Sequence, residues 1–347
     1  MNKVHEMLAA EAERSDRTEG NKQVRALLRE NKRLRQVINA AHAVRTQRVK
    51  VEAPKRLLAP GKRRATAVAM ASDWHVDELV SARKVVGLNR YNPAIADFRA
   101  QRFFAAIEHM VTTYERTIWT IRDLVLILNG DLFSGWIHEE LMANTAMSPI
   151  QATLFVEAIV SRGLKFLAER LPQVKIRVVC QIGNHGRATH KVMTSMAVEM
   201  SYEYIAYVHL AQLHPECTWD LPTGRHSIAE VYGLRMHVHH FDTVKSQGGV
   251  GGILVPLNRA AARWREKYRA HMSVGGHFHQ YMHTPQVVVN GSLIGYSSYA
   301  DSLAQASPEP PQQAFWLIDE KRGVCQTTAL WVGDLSAEKD IVWSRKE

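Results

Sequence analysis

Metal-binding side chains recur at the ends of five apolar segments of this sequence. In chain order they are Asp73 with His75, Asp131, Asn184 with His185, His239 with His240, and His277 with His279. Carboxylate and amide oxygens and imidazole nitrogens are groups with which proteins bind divalent transition metals. A single pair of this kind is usually a solvated loop or a hydrogen-bonded core pair, but five in succession predict one shared metal site.

Each of these groups follows or closes a run of residues typical of a β-strand. The predicted strands cover 66–71, 124–128, 177–181, 234–240 and 272–276. Ligand sites in α/β sheets form at the carboxyl ends of strands, so the five loops are expected to meet at one edge. Gly130 precedes Asp131, and a glycine there lets the backbone turn tightly where the strand ends.

Strand-type and helix-type segments alternate after residue 65, which is typical of an α/β domain. Helices are predicted at 94–116 and 149–170. The second begins with Ser148 as its cap, Pro149 in the first helical position and Gln151 in the third. In the later half, strands at 228–240, 272–276 and 286–290 and a hairpin at 314–318 and 324–332 are expected to form a second sheet.

The whole pattern resembles that of the calcineurin-like metallophosphoesterase superfamily. The matching motifs are Asp73-x-His75, Gly130-Asp131, Gly183-Asn184-His185, a histidine at a strand end, and Gly276-His277-x-His279. The similarity extends over residues 65–332, and residues 130–141 are most similar to phage and bacterial members related to DNA-repair exonucleases. The resemblance implies an α/β fold: a sandwich of two β-sheets flanked by helices (α/β/β/α), with a dinuclear metal site on loops at one edge.

The resemblance also implies a role for each residue of the pattern. The first metal ion would be held by Asp73, His75 and His279, and the second by Asn184, His240 and His277, with Asp131 bridging the two. Two cations about 3.5–4 Å apart need a shared anionic oxygen, and together they deprotonate a water that bridges them. Mixed oxygen and nitrogen ligands suit manganese first, with iron, zinc and nickel as alternatives. His185 resembles the family's general acid or transition-state donor and, with Asp131, forms the predicted catalytic pair.

Two features leave the assignment open. His239 and His240 are adjacent, and His240 is preferred because the residues after it approximate the family's setting for this ligand; His239 is the alternative. Family members often have Asp or Glu after the Gly-Asn-His motif, whereas this chain has Gly186. Asp77 or Asp242 is therefore expected to orient the histidines instead.

Candidate substrate-binding residues follow two of the strand ends. Arg187 and His190 come after the Gly-Asn-His turn, and Lys245 precedes a segment rich in glycine. This segment could close over a phosphate with Arg187 as a bidentate ligand, or could be only a flexible connector.

The positive charge of the chain is concentrated at its N-terminus. The 347 residues have a formal net charge of +10, and residues 1–64 contain 17 Lys and Arg against 7 Asp and Glu, which accounts for the whole excess. Such an arm favours polyanions, and nucleic acid before membrane because it lacks an aromatic face; a solubilising tail is the alternative. Three basic residues also share one face of a later predicted helix, which could track a phosphate backbone or be plainly solvated: Arg259, Arg263 and Lys267.

A helix with a heptad pattern is predicted over residues 22–44. Its a and d positions are Val24, Leu27, Asn31, Leu34, Ile38 and Ala41. This arrangement favours a parallel two-stranded coil, and hence a homodimer through residues 22–44; a single amphipathic helix lying on the main domain is the alternative. Pro54, Pro60 and Gly61 mark a linker, so the predicted division is a basic arm at 1–64 and a metallophosphoesterase domain at 65–347.

Composition argues against several other classes. No run reaches the roughly 18–20 apolar residues that cross a bilayer, and the first 20 residues are charged where a signal peptide would be apolar. We therefore expect no membrane partner and a cytoplasmic location, in a bacterial or phage-infected cell. Cys180, Cys217 and Cys325 are far apart, so a disulfide framework is not expected.

Together these interpretations predict a hydrolase that cleaves phosphate esters with two divalent metal ions, and a nucleic-acid phosphodiesterase or nuclease is the leading hypothesis. A phosphomonoesterase or protein phosphatase could use the same metal site, because pocket walls and loops select the substrate. The alternative from another class is a non-catalytic nucleic-acid-binding or assembly subunit. It is disfavoured because every ligand type is present.

Overall fold

The computed structural model describes residues 2–46, 62–245, 252–298, 300 and 308–343. The chain divides into two compact units, Met1–Ala59 and Pro60–Glu347. The predicted linker prolines and most of the glycine-rich segment after Lys245 lie outside the described residues. Within the described ranges, no helix combines the length and the apolar character needed to cross a bilayer.

In the first unit, the structure describes a helix of 45 residues, α1 (Asn2–Thr46). It starts well before the predicted helix at 22–44, because residues 2–21 contain no proline to stop it. Four of the predicted seam residues have exposed side chains: Val24, Leu27, Asn31 and Leu34. The side chain of Ile38 lies outside the described part, and the two-stranded coil stays a prediction.

The second unit is a mixed α/β structure with two mixed sheets among its described residues. Its strands are β1 (Arg63–Ala71), β2 (Trp119–Asn129), β3 (Lys175–Gln181), β4 (Thr218–Asp220), β5 (Ser227–Val231), β6 (Leu234–Val238), β7 (Met272–Gly275), β8 (Met282–His283), β9 (Val287–Val289), β10 (Gln312–Asp319) and β11 (Gly323–Trp331). Its α-helices are α2 (Pro93–Glu115), α3 (Glu139–Asn144), α4 (Pro149–Arg170), α5 (Tyr202–Leu213), α6 (Leu254–Tyr268) and α7 (Leu335–Glu338). The predicted capping box at the start of α4, Ser148 with Gln151, is present.

The first sheet has the strand order β11-β10-β1-β2-β3-β4. Strands β1 to β4 run parallel, and β10 pairs antiparallel with β1 and with β11. The prediction that the C-terminal hairpin belongs to the second sheet is therefore wrong. All eight residues of β10 are buried, and a strand buried on both faces must lie inside a sheet that is covered on both sides.

The second sheet has the order β5-β6-β7-β9-β8. Strands β6, β7 and β9 are parallel, and the outer strands β5 and β8 are antiparallel to their neighbours. The predicted single strand at 228–240 is a hairpin, because Tyr232 and Gly233 have φ angles of 52° and 79° and reverse the chain. The reversal leaves β6 pointing toward the edge where β7 ends.

The two sheets pack face to face, with helices on the outer faces. Alternate residues of β1 serve different cores: Val68 and Met70 pack in the cluster shared with the second sheet, whereas Ala67 and Ala69 pack in the cluster shared with the helices. Leu257 of α6 packs on Val287 of the second sheet in a third cluster. Parallel pairing places the carboxyl ends of β1, β2 and β3 at one edge, which β6 and β7 also reach.

Candidate metal centre

Five residues of the strand-end loops have left-handed backbone conformations, which residues other than glycine rarely adopt. The φ angles are 56° at Asp73, 47° at His75, 50° at Asp131, 76° at His277 and 55° at His279. Each such residue costs on the order of 1–3 kcal/mol, and persists only where the surroundings fix it. Strain of this kind clusters at functional sites, and here it accompanies side chains that turn toward a common centre.

These side chains form two groups of potential metal ligands. The groups are Asp73 with His75 and His279, and Asp131 with His240 and His277; within each, the ligand atoms lie within 4.8 Å of one another. His279 Nε2 is 3.2 Å from His75 Nε2 and 3.4 Å from Asp73 Oδ1. His240 Nε2 is 3.9 Å from Asp73 Oδ1, so the two groups adjoin. This arrangement is compatible with a pair of metal ions.

Glycines allow the loops to approach the carboxylates closely. A Cβ atom on Gly183 would lie 2.1 Å from Asp131 Oδ1, and one on Gly276 would lie 2.1 Å from Asp73 Oδ2. A Cβ on Gly130 would lie 2.0 Å from the backbone nitrogen of Gly183. None of these positions can carry a side chain without moving a ligand loop, which explains the glycines in the sequence motifs.

His240 is oriented so that Nε2 can bind a metal ion once it loses its proton. Its Nδ1 donates to the backbone carbonyl of Asn129 over 2.6 Å, so the Nδ1 proton is engaged and Nε2 faces the centre. Nε2 lies 2.7 Å from Asp131 Oδ2. The nitrogen and the carboxylate oxygen are thus both available to the same cation.

His75 is oriented by a similar chain of hydrogen bonds. Its Nδ1 lies 2.8 Å from Ser134 Oγ, and that hydroxyl donates to Glu78 Oε2 over 2.9 Å. Because the hydroxyl proton is directed to Glu78, Ser134 Oγ accepts from His75 Nδ1 and leaves His75 Nε2 as the ligand atom. Ser134 and Glu78 were not among the residues predicted from the sequence, because no spacing pattern marks them.

His239 points away from both groups. Its Nδ1 accepts a hydrogen bond of 2.7 Å from the backbone nitrogen of Phe241, so the proton of the neutral ring is on Nε2 and no lone pair is free for a metal. The ring stacks on His226, with 4.5 Å between centroids, and lies 5.0 Å from Trp264 of α6. The structure therefore brings His240 into the centre and leaves His239 in the layer beneath α6.

His185 lies beside both groups without belonging to either. Its backbone nitrogen donates to Asp131 Oδ1 over 2.7 Å, and its ring stands edge-on to His75 with 4.9 Å between centroids. Nδ1 donates to the backbone carbonyl of Ser134 over 3.0 Å, which leaves Nε2 free to exchange a proton with a bound molecule. The neighbouring Asn184 has a buried Oδ1 without a protein hydrogen-bond partner among the described residues, which suits a metal ligand.

The charges of the centre favour ionised carboxylates. Burial would raise the pKa of Asp131, but the nearby positive charge of His240 and His185 holds it well below its usual range. Burial would lower the pKa of His240, but the Asp131 carboxylate raises it to about 10. Burial and the charge of His240 lower the pKa of His277 to about 4. A cation bound by this centre would replace the proton of His240, since ligands must be deprotonated.

Asp77 is one of the two acids that the sequence suggested for orienting the histidines, and it acts on them through the backbone of a neighbouring turn. It accepts hydrogen bonds from the backbone nitrogens of Ser134 (2.6 Å) and Gly135 (3.2 Å), and so fixes the turn that orients His75 and His185. Burial raises the pKa of Asp77 to about 7. The other suggested acid, Asp242, instead forms an ion pair with Arg225.

The candidate substrate-binding residues lie at the rim. The Arg187 guanidinium donates to the backbone carbonyls of Asn184, Thr189 and His190, so in this structure it fastens its own loop. Burial lowers the pKa of Arg187. His190 and Lys245 are exposed. Residues 246–251, which the sequence suggests as a lid, lie outside the described residues.

Glu203 of α5 is a further buried group that the sequence analysis missed. Its carboxylate accepts from the backbone nitrogens of Leu132 and Gly183, and burial raises its pKa to about 7. A signal was available: Glu203, Ala206, Tyr207 and Leu210 are spaced as one buried helix face, so an acid interrupts an apolar stripe.

No protein-family model matches this chain, and no curated protein matches it. The argument about function therefore depends on the residues of the centre and their geometry.

Proposed function

We propose that this chain is a phosphoesterase of the calcineurin-like type that acts with two divalent metal ions, manganese being the best candidate. The observation that carries the proposal is the pair of adjoining Asp/His groups, 3.9 Å apart between His240 Nε2 and Asp73 Oδ1. Groups that adjoin in this way could hold two cations side by side, and two cations about 3.5–4 Å apart form a template for displacement at phosphorus. The mixture of carboxylate and imidazole ligands suits manganese, iron, zinc or nickel better than magnesium alone.

The donor set fits two cations in number and in orientation. His75 and His240 are each bonded through Nδ1, so both present Nε2 to the centre. The Asn184 oxygen adds a buried neutral ligand. When bound, the cations supply Lewis acidity toward a phosphate ester and lower the pKa of a water molecule.

The protein groups around the cations have separable roles in this proposal. Asp131 is held by the backbone nitrogen of His185 and by His240, so its two oxygens have fixed directions. His185 keeps Nε2 free and is the group placed to protonate a leaving alkoxide or stabilise charge on the phosphate. Asp77 and Ser134 limit the movement of His185, which lowers the cost of reaching the reactive geometry.

Nucleic acid is the preferred substrate class, and the positive charge of two segments of the chain supports this choice. Helix α6 packs on Phe241, just after His240, through Trp264, whose ring stacks on Phe241 with 5.8 Å between centroids. Its exposed face carries Arg259, Arg263 and Lys267. A row of cations on this helix suits a phosphate backbone, and the basic N-terminal segment would add to the attraction.

The test of catalysis is hydrolysis of bis-p-nitrophenyl phosphate by protein reconstituted with Mn²⁺. The expected result is metal-dependent turnover that Asp131→Asn reduces by about 10²-fold or more, because a catalytic charge at a metal pair is lost. Asp123→Asn is the matched control: Asp123 lies on β2, the strand that leads to Asp131, and it pairs with Arg64 at the surface. Absence of turnover with Mn²⁺, Fe²⁺, Zn²⁺ and Ni²⁺ would favour a non-catalytic binding subunit.

The substrate class is tested separately with labelled single-stranded DNA, duplex DNA, RNA, and p-nitrophenyl phosphate. A nuclease should cleave a polynucleotide with a kcat/KM well above that for the monoester. Preference for p-nitrophenyl phosphate or for a phosphopeptide would assign the same metal centre to a phosphomonoesterase or protein phosphatase.

A further inference from the structure

Helix α5 places one carboxylate between two of the metal-binding loops. Glu203 Oε1 accepts from the backbone nitrogen of Leu132 over 2.9 Å, and Oε2 accepts from that of Gly183 over 2.8 Å. Leu132 directly follows Asp131, and Gly183 directly precedes Asn184. A single side chain therefore ties the loop of Asp131 to the loop that carries Asn184 and His185.

The contact between α5 and the second loop continues beyond these two bonds. A Cβ atom on Gly186 would lie 2.6 Å from Glu203 Cγ and 2.7 Å from Glu203 Cδ, so the absence of a side chain at 186 makes room for the glutamate. The backbone nitrogen of Tyr202 donates to the carbonyl of Gly186 over 2.8 Å. Glu203 is 1 % exposed. The start of α5 is thus fitted against both ends of the Gly-Asn-His turn.

A carboxylate suits this position better than any other side chain. Two N–H groups converge on it, and only a carboxylate offers two acceptor oxygens to both. A glutamine would present its NH₂ group to one of the two N–H donors, leaving that donor buried and unpaired. An aspartate would keep both oxygens but would be one methylene too short to reach both loops.

We infer that Glu203 is a positioning residue that sets the separation between the Asp131 loop and the Asn184 loop, and through it the affinity of the second metal position. The inference rests on the proposed function, because it takes these loops to hold a metal ion. Glu203 makes no bond to a candidate ligand side chain in the structure, so it acts through the backbone. The first group, Asp73 with His75 and His279, is attached to other strand ends; its loop meets the Asp131 backbone, through a bond of 2.8 Å from Trp74, but not the Asn184 loop, so it should depend on Glu203 less than the second group does.

The test compares Glu203→Gln with Glu199→Gln. Glu199 is exposed and lies four residues earlier, so the control removes the same charge without touching either loop. Titration of metal-free protein with Mn²⁺ in a calorimeter should show two sites in the wild type and in the control. In Glu203→Gln the second site should weaken about 10- to 100-fold, the range seen when an outer partner of a metal site is lost, and the first should weaken much less.

A second variant covers the case in which Glu203→Gln does not fold. Gly186→Ala keeps the glutamate but pushes it aside, and should weaken the same second site much more than the first. Equal loss at both sites, in either variant, would indicate general destabilisation and overturn the inference. So would a Glu203→Gln protein that binds both ions as the wild type does. A wild type that binds no Mn²⁺ at all would instead refute the proposed function itself, and the inference with it.

Discussion

Replacing His240 by alanine should remove the second metal ion and leave the first. His240 supplies one of the few protein ligands of the second group, which also contains Asp131 and His277. Loss of an outer partner alone lowers metal affinity 10- to 100-fold. Loss of the ligand itself should therefore cost about 100-fold or more, which corresponds to about 2.8 kcal/mol. The first group loses no ligand and should keep its affinity.

His239→Ala is the matched control, since it removes the same side chain one residue earlier. His239 is buried against His226 and Trp264, so its removal should leave a cavity and lower the free energy of unfolding by on the order of 2–4 kcal/mol. His240→Ala also destabilises the fold, because it breaks the buried bond to Asp131 and leaves the Asn129 carbonyl without its donor. Thermal midpoints therefore do not separate the two variants, whereas metal affinity does.

The assay is calorimetric titration of metal-free protein with Mn²⁺, checked by elemental analysis after gel filtration. His239→Ala should bind two ions per chain and His240→Ala one. The reverse outcome would exchange the two histidines and refute the tautomer argument, which rests on the donor that Phe241 provides to His239. Two tightly bound ions in both variants would mean that neither histidine is a ligand.

Three further predictions concern catalysis, the N-terminal segment and pH. His185→Ala should keep both ions but lose about 10²- to 10⁴-fold in kcat, because a proton-transfer group is gone; loss of metal would make His185 a ligand instead. Deleting residues 1–59, which stops short of β1, should weaken nucleic-acid binding, flatten its dependence on salt and convert a dimer to a monomer, with little change toward bis-p-nitrophenyl phosphate; an unchanged salt slope would contradict a role for the arm. Burial and the charge of His226 lower the pKa of His237 from 6.5 to about 3, so below pH 6.5 the unfolded chain takes up a proton that the folded chain does not. The free energy of unfolding should therefore decrease as the pH is lowered from about 6.5 to 3. In urea titrations, His237→Gln should reduce this slope by up to about 1.4 kcal/mol per pH unit, and an unchanged slope would count against the buried neutral ring.

The sequence by itself determined the local features of the centre. Asp73, Asp131 and His277 could be identified because each follows an apolar strand. Gly130, Gly183 and Gly276 mark the same loops, because the neighbouring loop comes too close at these positions for a residue with a Cβ atom. These signals lie within a few residues of one another in the chain, so they can be recognised without knowledge of the fold. Helix starts such as that of α4 were equally readable, because capping involves neighbours in the chain.

Only the tertiary structure decided how distant segments meet. The hairpin of β10 and β11 carries no local sign of its partner, yet β10 joins β1 across some 250 residues because both faces of β10 are buried and need cover on both sides. His239 and His240 are neighbours in the chain, so their sequence surroundings are nearly the same and do not show which one is the ligand. What separates them is which backbone group each Nδ1 meets: the nitrogen of Phe241 for one and the carbonyl of Asn129 for the other. The sequence of α5 indicates only that an acid, Glu203, lies on its buried face. Its role could not be predicted, because the N–H groups that it binds belong to strand ends elsewhere in the chain.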